Sequence, residues 1–307
     1  MKANTFTLKG KDGAKLFVYS WLPDGKPAAA VQIAHGMAEH AARYERFAKA
    51  LTAAGFAVYA KDHRGHCKTA GSLEAVGWIA NKDGWDLIVD DMHRLTETVK
   101  KEHPGIPIFL FGHSMGSFLS RDYITRWGNE IKGLILSGTG GNPGLLGKVG
   151  TLIARVEKRL RGSKAKSLLM TSLSFGAFNK PFAPNRTDFD WLSRDNAEVD
   201  KYVADPYCGD VFSAGFWVDF LTGLNSLYRP DYFSKVPKKL PIYLFSGEKD
   251  PVGNDTKGVR EVYDSYKKAG FADVSVKFYP GARHETLNET NREEVFKDVI
   301  DWLKKHR

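Results

Sequence analysis

Cysteine is scarce in this chain. Of 307 residues only Cys67 and Cys208 are cysteines, too few to suggest a disulfide framework. Long apolar runs are also missing: no uninterrupted stretch approaches the roughly 18 residues of a membrane-spanning helix. The N-terminal MKANTFTLKGKDGAKLFVYSW has neither the apolar core nor the small-residue cleavage site of a secretory signal, so a cytoplasmic location is expected. There is no internal repeat or low-complexity tract. Zinc-finger spacing and RNA-binding aromatic motifs are absent, which matters because the formal net charge of +9 invites a nucleic-acid reading. That charge is local. Between Lys148 and Lys166 seven basic residues face one acid, Glu157, and the remainder is close to balanced. Nucleic acid is therefore not expected as a partner.

What is present is a rhythm. Short apolar runs, AAVQIAH (29–35), FAVYA (56–60), IPIFLFG (106–112), IKGLILSG (131–138), LPIYLFSG (240–247) and DVSVKFYP (273–280), alternate with helical patterns such as Trp85 to Glu102 and Met115 to Trp127. Strands apolar on both faces and separated by helices predict a mostly parallel sheet covered on both sides, an α/β architecture. A hairpin signal at Lys11-Asp12-Gly13 predicts two antiparallel strands at one edge. From about Gly140 to Asp231 the rhythm stops, and the segment is rich in aromatics. The chain is accordingly divided into a first core part (1–139), a mainly helical cap insertion (140–231) and a second core part (232–307).

The run IPIFLFG leads directly into Gly112-His113-Ser114-Met115-Gly116 and then a helix. Glycine and serine are ordinary turn residues, but strand, G-x-S-x-G and helix in that order form the setting of a nucleophile elbow. Such a turn projects the serine hydroxyl clear of both elements, while the flanking glycines stand where strand and helix crowd together. A serine needs a base, and the base needs an orienting acid, in the chain order Ser, acid, His. Past Ser114 only His284 and His306 remain. His306 is penultimate on a charged terminal helix and is expected to be solvated, so His284, in the loop PGARHETLNE, is the candidate base. The loop SGEKDPVGN offers Asp250, preferred over Glu248 as the acid. The two oxyanion donors expected are the backbone amides of Met115 and Met37, the latter after His35-Gly36. His35 and His113 do not have the position of the base.

HGMAEHAARY, DHRGHCKTAG, GHSMG, GEKDPVG and YPGARHETLNE together resemble the monoacylglycerol lipase and bacterial lysophospholipase group of α/β-hydrolases, often described as serine aminopeptidase-like. The resemblance covers the core on both sides of the insertion, and WLSRD and DPYCG within it resemble bacterial members. It implies an α/β-hydrolase fold, the triad Ser114, Asp250 and His284, and the donors Met37 and Met115. One departure is Cys67, where this group usually has glycine.

The function expected is hydrolysis of a monoacyl lipid ester, monoacylglycerol or lysophospholipid, through an acyl-enzyme, with no metal or organic cofactor. Two alternatives are an aminopeptidase of the same fold, whose amino-terminus clamp would draw on Asp188, Asp190, Asp195 and Glu198, and a non-catalytic receptor. Phe175, Phe178, Phe182, Trp191, Phe212, Phe216 and Trp217 serve as either acyl pocket or cap core. Asp62-His63-Arg64-Gly65-His66-Cys67 imitates a metal cluster, but its spacing matches no standard zinc site and Arg64 would repel a cation, so a hydrogen-bonded turn is preferred. In GTGGNPG, Pro143 replaces the third glycine of a dinucleotide loop. Leu145, Val149, Leu152, Val156 and Leu160 predict one apolar helix face packed over the active site. The basic residues beside it, Lys148, Arg155, Lys158, Arg159 and Arg161, are either a solvated face or a contact to anionic membrane.

Overall fold

The computed structural model describes residues 1–307. Strands β1 (Lys2–Lys9), β2 (Lys15–Leu22), β3 (Ala29–Ala34), β4 (Phe56–Lys61), β5 (Ile108–His113), β6 (Gly133–Ser137), β7 (Ile242–Gly247) and β8 (Val274–Tyr279) form one sheet in the order β1-β2-β4-β3-β5-β6-β7-β8. The leading hairpin pairs antiparallel with itself and with β4; all other pairs are parallel. This is the α/β-hydrolase fold.

The apolar runs explain the layering. Every residue of β3, β4, β5, β6 and β7 is buried. Because strand side chains alternate, β5 sends Ile108 and Leu110 into one core and Phe109 and Phe111 into another. Helices α3 (Gly84–Glu102), α4 (Met115–Trp127) and α9 (Lys257–Lys268) cover the first face; α1 (Glu45–Ala53) and α10 (Arg292–His306) cover the second. The short α2 (Cys67–Ala70) follows β4. Each large side chain buried this way contributes about 1.5–3 kcal/mol. Near the C-terminus, His306 departs from the solvated tail expected: it packs on Trp302 with ring centroids 4.2 Å apart and hydrogen-bonds Asp273 at 3.0 Å.

Between β6 and β7 no strand of the sheet occurs. This stretch holds α5 (Gly144–Arg161), α6 (Leu168–Phe175), α7 (Asn196–Ala204) and α8 (Ala214–Ser226). Here the structure corrects the sequence reading. The stripe of α5 faces solvent: Leu145, Leu152 and Leu160 are 75, 63 and 78 % exposed, and Val149 and Val156 are exposed as well. The opposite face, Gly147, Thr151 and Ala154, is the buried one. Small residues let α5 approach α8 closely. A β-carbon at Gly147 would stand 2.7 Å from Asn225 Oδ1, and Asn225 donates to Thr151 Oγ1 at 3.1 Å. Periodicity marks a stripe but not the side that packs, and here the smooth face wins. No helix is long and apolar enough to cross a membrane.

Candidate active site

Ser114 stands between β5 and α4 with φ 50° and ψ −120°. A non-glycine residue in this region carries roughly 1–3 kcal/mol of strain, which the surroundings must impose. They do so through Ser114 N–H donating to Ser137 O at 2.9 Å and Ser117 Oγ donating to Ser114 O at 2.6 Å. The glycines act through space. A β-carbon at Gly112 would lie 2.5 Å from Gly116 O, and one at Gly116 would overlap Ala34 O. Strand and helix could not cross this closely with alanine at either position.

Asp250 follows β7 and is fully buried. Its Oδ1 accepts from His284 Nδ1 at 2.9 Å and from Val252 N–H at 2.9 Å, and its Oδ2 accepts from Ser246 Oγ at 2.8 Å. The competing Glu248 is exposed and accepts from Gly281 N–H instead. Burial opposes the charged form of Asp250, but His284 and these donors hold its carboxyl below the usual range. Burial likewise opposes the imidazolium of His284, and the Asp250 charge more than offsets it, so the ring titrates above its ordinary value. His113 is the reverse case: burial, then repulsion from His284, pushes it down to about 3. Its Nδ1 meets Ser137 Oγ at 3.1 Å. His35 is also taken, with Nδ1–H donating to Gly36 O and Nε2 accepting from His63 N–H.

Ser114 and His284 line the same cavity of about 300 Å³, although no hydrogen bond joins Ser114 Oγ to the ring in this structure. Gly36 and Met37 line it too, and the Met37 amide has no protein acceptor. Met115 is the first residue of α4, so its amide has no acceptor within its own helix. The rest of the wall is mixed: Phe175, Phe189, Trp191 and Leu192 beside Thr171, Ser172, Asn179, Asp188 and Asp210. The aromatics therefore divide. Phe175 and Trp191 face the cavity and Phe178 backs Trp191 at 5.1 Å, whereas Phe212, Phe216 and Trp217 belong to the core. Of the four carboxylates named for an amino-terminus clamp, only Asp188 lines the cavity. Asp190 accepts from Arg186 and Thr187, Asp195 pairs with Arg292, and Glu198 pairs with Arg46 and Lys201.

A buried network beneath the cavity was not foreseen. Arg43 grips Glu285 with two bonds of 2.6 and 2.7 Å and reaches Glu39 at 2.8 Å. Glu39 Oε1 in turn accepts from Gly36 N–H at 2.6 Å and Tyr44 OH at 2.8 Å. The network thus joins the loop carrying Met37 to the loop carrying His284. The segment after α6 clasps the same loops: Leu192 O accepts from Glu285 N–H at 2.7 Å, and Tyr202 OH donates to Ala38 O at 2.7 Å. The i, i+4 spacing of Glu39 and Arg43 was the available sequence signal; the partner Glu285 lies 242 residues from Arg43.

These shifts set an order of titration. By NMR of the imidazole protons, His284 is expected to titrate above the ordinary histidine value of about 6.5, while His113 stays neutral down to about 3. Asp250→Asn should bring the His284 midpoint down. An unmoved midpoint would mean that Asp250 does not govern the ring.

The family described as serine aminopeptidase, S33, matches residues 25–291. A monoacylglycerol lipase of Mycolicibacterium smegmatis is 30% identical over 300 residues, covering 97% of this chain and 95% of the relative. The human monoglyceride lipase is 28% identical over 306 residues, covering 96% and 89%. A thermostable carboxyl esterase from Bacillus coagulans, solved in complex with glycerol, superposes with a TM-score of 0.92 at 29% identity over 100% of this chain and 99% of that one. With the fold, the elbow and a match over most of its length, the chain belongs to the serine aminopeptidase S33 family of α/β-hydrolases.

Proposed function

We propose that this protein is a serine ester hydrolase that cleaves monoacylglycerols, with Ser114, His284 and Asp250 as its triad and residues 140–231 as the cap over them. The observation that carries the reading is the buried Asp250–His284 contact at 2.9 Å, opening on the cavity that the strained Ser114 also lines. With the Nδ1 proton committed to Asp250, Nε2 is left as the basic nitrogen. It takes the Ser114 proton as Oγ attacks the ester carbonyl. The amides of Met37 and Met115 hold the oxyanion, and Asp250 stabilises the imidazolium without accepting its proton. His284 then protonates the leaving alcohol, and a water repeats the sequence on the acyl-enzyme.

The mixed cavity wall supports the substrate. Apolar Phe175, Phe189, Trp191 and Leu192 suit an acyl chain, while Thr171, Ser172, Asn179, Asp188 and Asp210 suit the hydroxyls of a glycerol. Asp188 borders the cavity with no cation paired to it, and although Asp210 pairs with Lys166 and Glu39 and Glu285 share Arg43, acids outnumber bases there, which favours this neutral headgroup over the phosphate of a lysophospholipid. The names of the two lipases above agree with that choice. A peptidase would need a carboxylate clamp, and three of its four candidate carboxylates are engaged elsewhere.

The inverted α5 supports a place of work. Besides the solvent-facing leucines and valines of α5, α6 exposes Leu168, Leu169 and Leu173. Beside this apolar ridge Lys148, Arg155 and Arg159 have no carboxylate within salt-bridge distance, whereas Arg161 is taken by Glu157 and the half-buried Lys158 lies toward Asp219 of α8. An apolar ridge flanked by unpaired cations matches an anionic lipid surface, to which each cation adds about 1 kcal/mol.

Ser114→Ala should lower kcat by up to about 10⁶ with the circular dichroism spectrum unchanged. Asp250→Asn should cost about 10⁴, and Glu248→Gln less than about threefold. Because the neutral ring is the base and its pKa is raised, activity should fall on the acid side earlier than an ordinary histidine would dictate. Near-normal turnover by Ser114→Ala would remove the mechanism.

In sedimentation with vesicles, binding should require anionic lipid and weaken with salt. Replacing Lys148, Arg155 and Arg159 by glutamine should weaken it about 100-fold, and Leu152→Ser should weaken it further. Equal binding to neutral and anionic vesicles would contradict the surface assignment.

A further inference from the structure

Two residues that the proposed chemistry leaves unused converge on a third. In sequence, Asp62-His63-Arg64-Gly65-His66-Cys67 made a poor metal site because Arg64 sits among the ligands. The fold removes that objection. Arg64 turns to Asp12 and Asp91, at 2.7 and 2.6 Å, and His63 and His66 pack against His35 with centroids 4.2 and 5.0 Å away. The two ends of the segment remain. A carboxylate oxygen of Asp62, Sγ of Cys67 and a ring nitrogen of His40 lie within 4.8 Å of one another. Their residues are 0, 4 and 7 % exposed.

Each keeps a lone pair that nothing else in the chain takes up. Asp62 has no lysine or arginine within salt-bridge distance; its oxygens accept Ala41 N–H at 3.0 Å, Lys68 N–H at 3.2 Å and the Cys67 thiol, which leaves carboxylate lone pairs free. His40 Nε2 meets Asp205 Oδ2 at 2.8 Å. An ionised carboxylate only accepts, so Nε2 carries a proton toward Asp205 and Nδ1 is the nitrogen left to act as a ligand. That Nδ1 is buried without any hydrogen-bond partner. Cys67 is a free thiol held at φ +38°, in the left-handed region where glycine sits without strain. The chain keeps a thiol at a place where its backbone favours glycine.

We propose that His40, Asp62 and Cys67 form a binding site for a thiophilic divalent cation of the zinc type. Three atoms mutually within 4.8 Å lie at most about 2.8 Å (4.8/√3) from a common centre, and zinc takes nitrogen, oxygen and sulfur ligands at about 2.0–2.3 Å, so a shift of less than an ångström closes the site. Asp205 supplies the outer carboxylate that orients a metal-bound imidazole. A water fills the fourth position. On binding, the Cys67 S–H bond breaks, its proton leaves to solvent, and the thiolate donates its electron pair to the cation. The cation ties together the loop after β3, the end of β4 and α2, and through Asp205 the segment after α7.

The test uses the full chain, stripped with a chelator and titrated with Co²⁺ as the optical probe. The expected result is one cobalt per chain with a thiolate-to-cobalt absorption band, displacement by Zn²⁺, and a raised melting temperature. Cys67→Gly suits the local backbone and keeps the fold; it should abolish the band and weaken binding by at least about 100-fold, and Asp205→Asn should weaken it by about 10–100-fold. Cys208 also lies within 4.8 Å of His40 and Asp205, so Cys208→Ser is the control, expected to change affinity less than about threefold. The proposal is overturned by an absence of saturable binding, by binding without the thiolate band, or by a Cys67→Gly protein that binds as wild type. Loss of the band in Cys208→Ser alone would also overturn it, by moving the ligand to the other thiol.

Discussion

A carboxylate with no solvent exposure, Asp250, faces an almost wholly buried imidazole, His284, and the cost of that burial organises everything near them. Alone, either charge would be expelled or neutralised. Together, and with Ser246 and the Val252 amide completing the carboxylate, they persist as a polarised pair. The ends of β7 and β8 must stay in register to hold them, and the parallel pairing from Ile242↔Val274 to Gly247↔Tyr279 does so. Arg43 adds a second tether, because its grip on Glu285 holds the residue next to His284. Ser114 is the third constraint, kept in a strained backbone by neighbours that admit no side chain at Gly112 or Gly116.

The helical segment between β6 and β7 joins this arrangement through hydrogen bonds to its loops. Leu192 O and Tyr202 OH hold the two loops that border the cavity, so a displacement of that segment would disturb both. Its outer side has a different character. α5 presents small residues to α8 and large apolar ones to solvent, and exposed apolar patches of this kind mark contact sites. In the proposed function that outer face rests on lipid while the inner face shapes the cavity. Metal at His40 would brace the loop between the two.

Much of this was legible in the residues. Strands buried on both faces announce themselves as unbroken apolar runs, and the elbow is legible because strand, glycines and helix must coincide. Asp250 could be preferred to Glu248 by its place in the loop, and the structure puts only Asp250 against His284. The orientation of α5 was not legible. A stripe of leucines reads as a packed face, and the weaker signal of Gly147, Thr151 and Ala154 opposite it points the other way. Nor could Arg43–Glu285 or His40–Asp62–Cys67 be read, since partners distant in sequence are joined only when the sheet closes. His306 differs from a solvated tail for a related reason: an aromatic ring, Trp302, one turn earlier gives a terminal histidine something to pack on.

The central claim is that Ser114 is a nucleophile activated by the Asp250–His284 pair. Labelling with a fluorophosphonate, followed by peptide mass spectrometry, tests it most directly. The account predicts one adduct per chain, on Ser114, forming rapidly in wild type and far more slowly when His284 is alanine or Asp250 is asparagine. An adduct on another residue, or labelling of Ser114 at the same rate without His284, would contradict it.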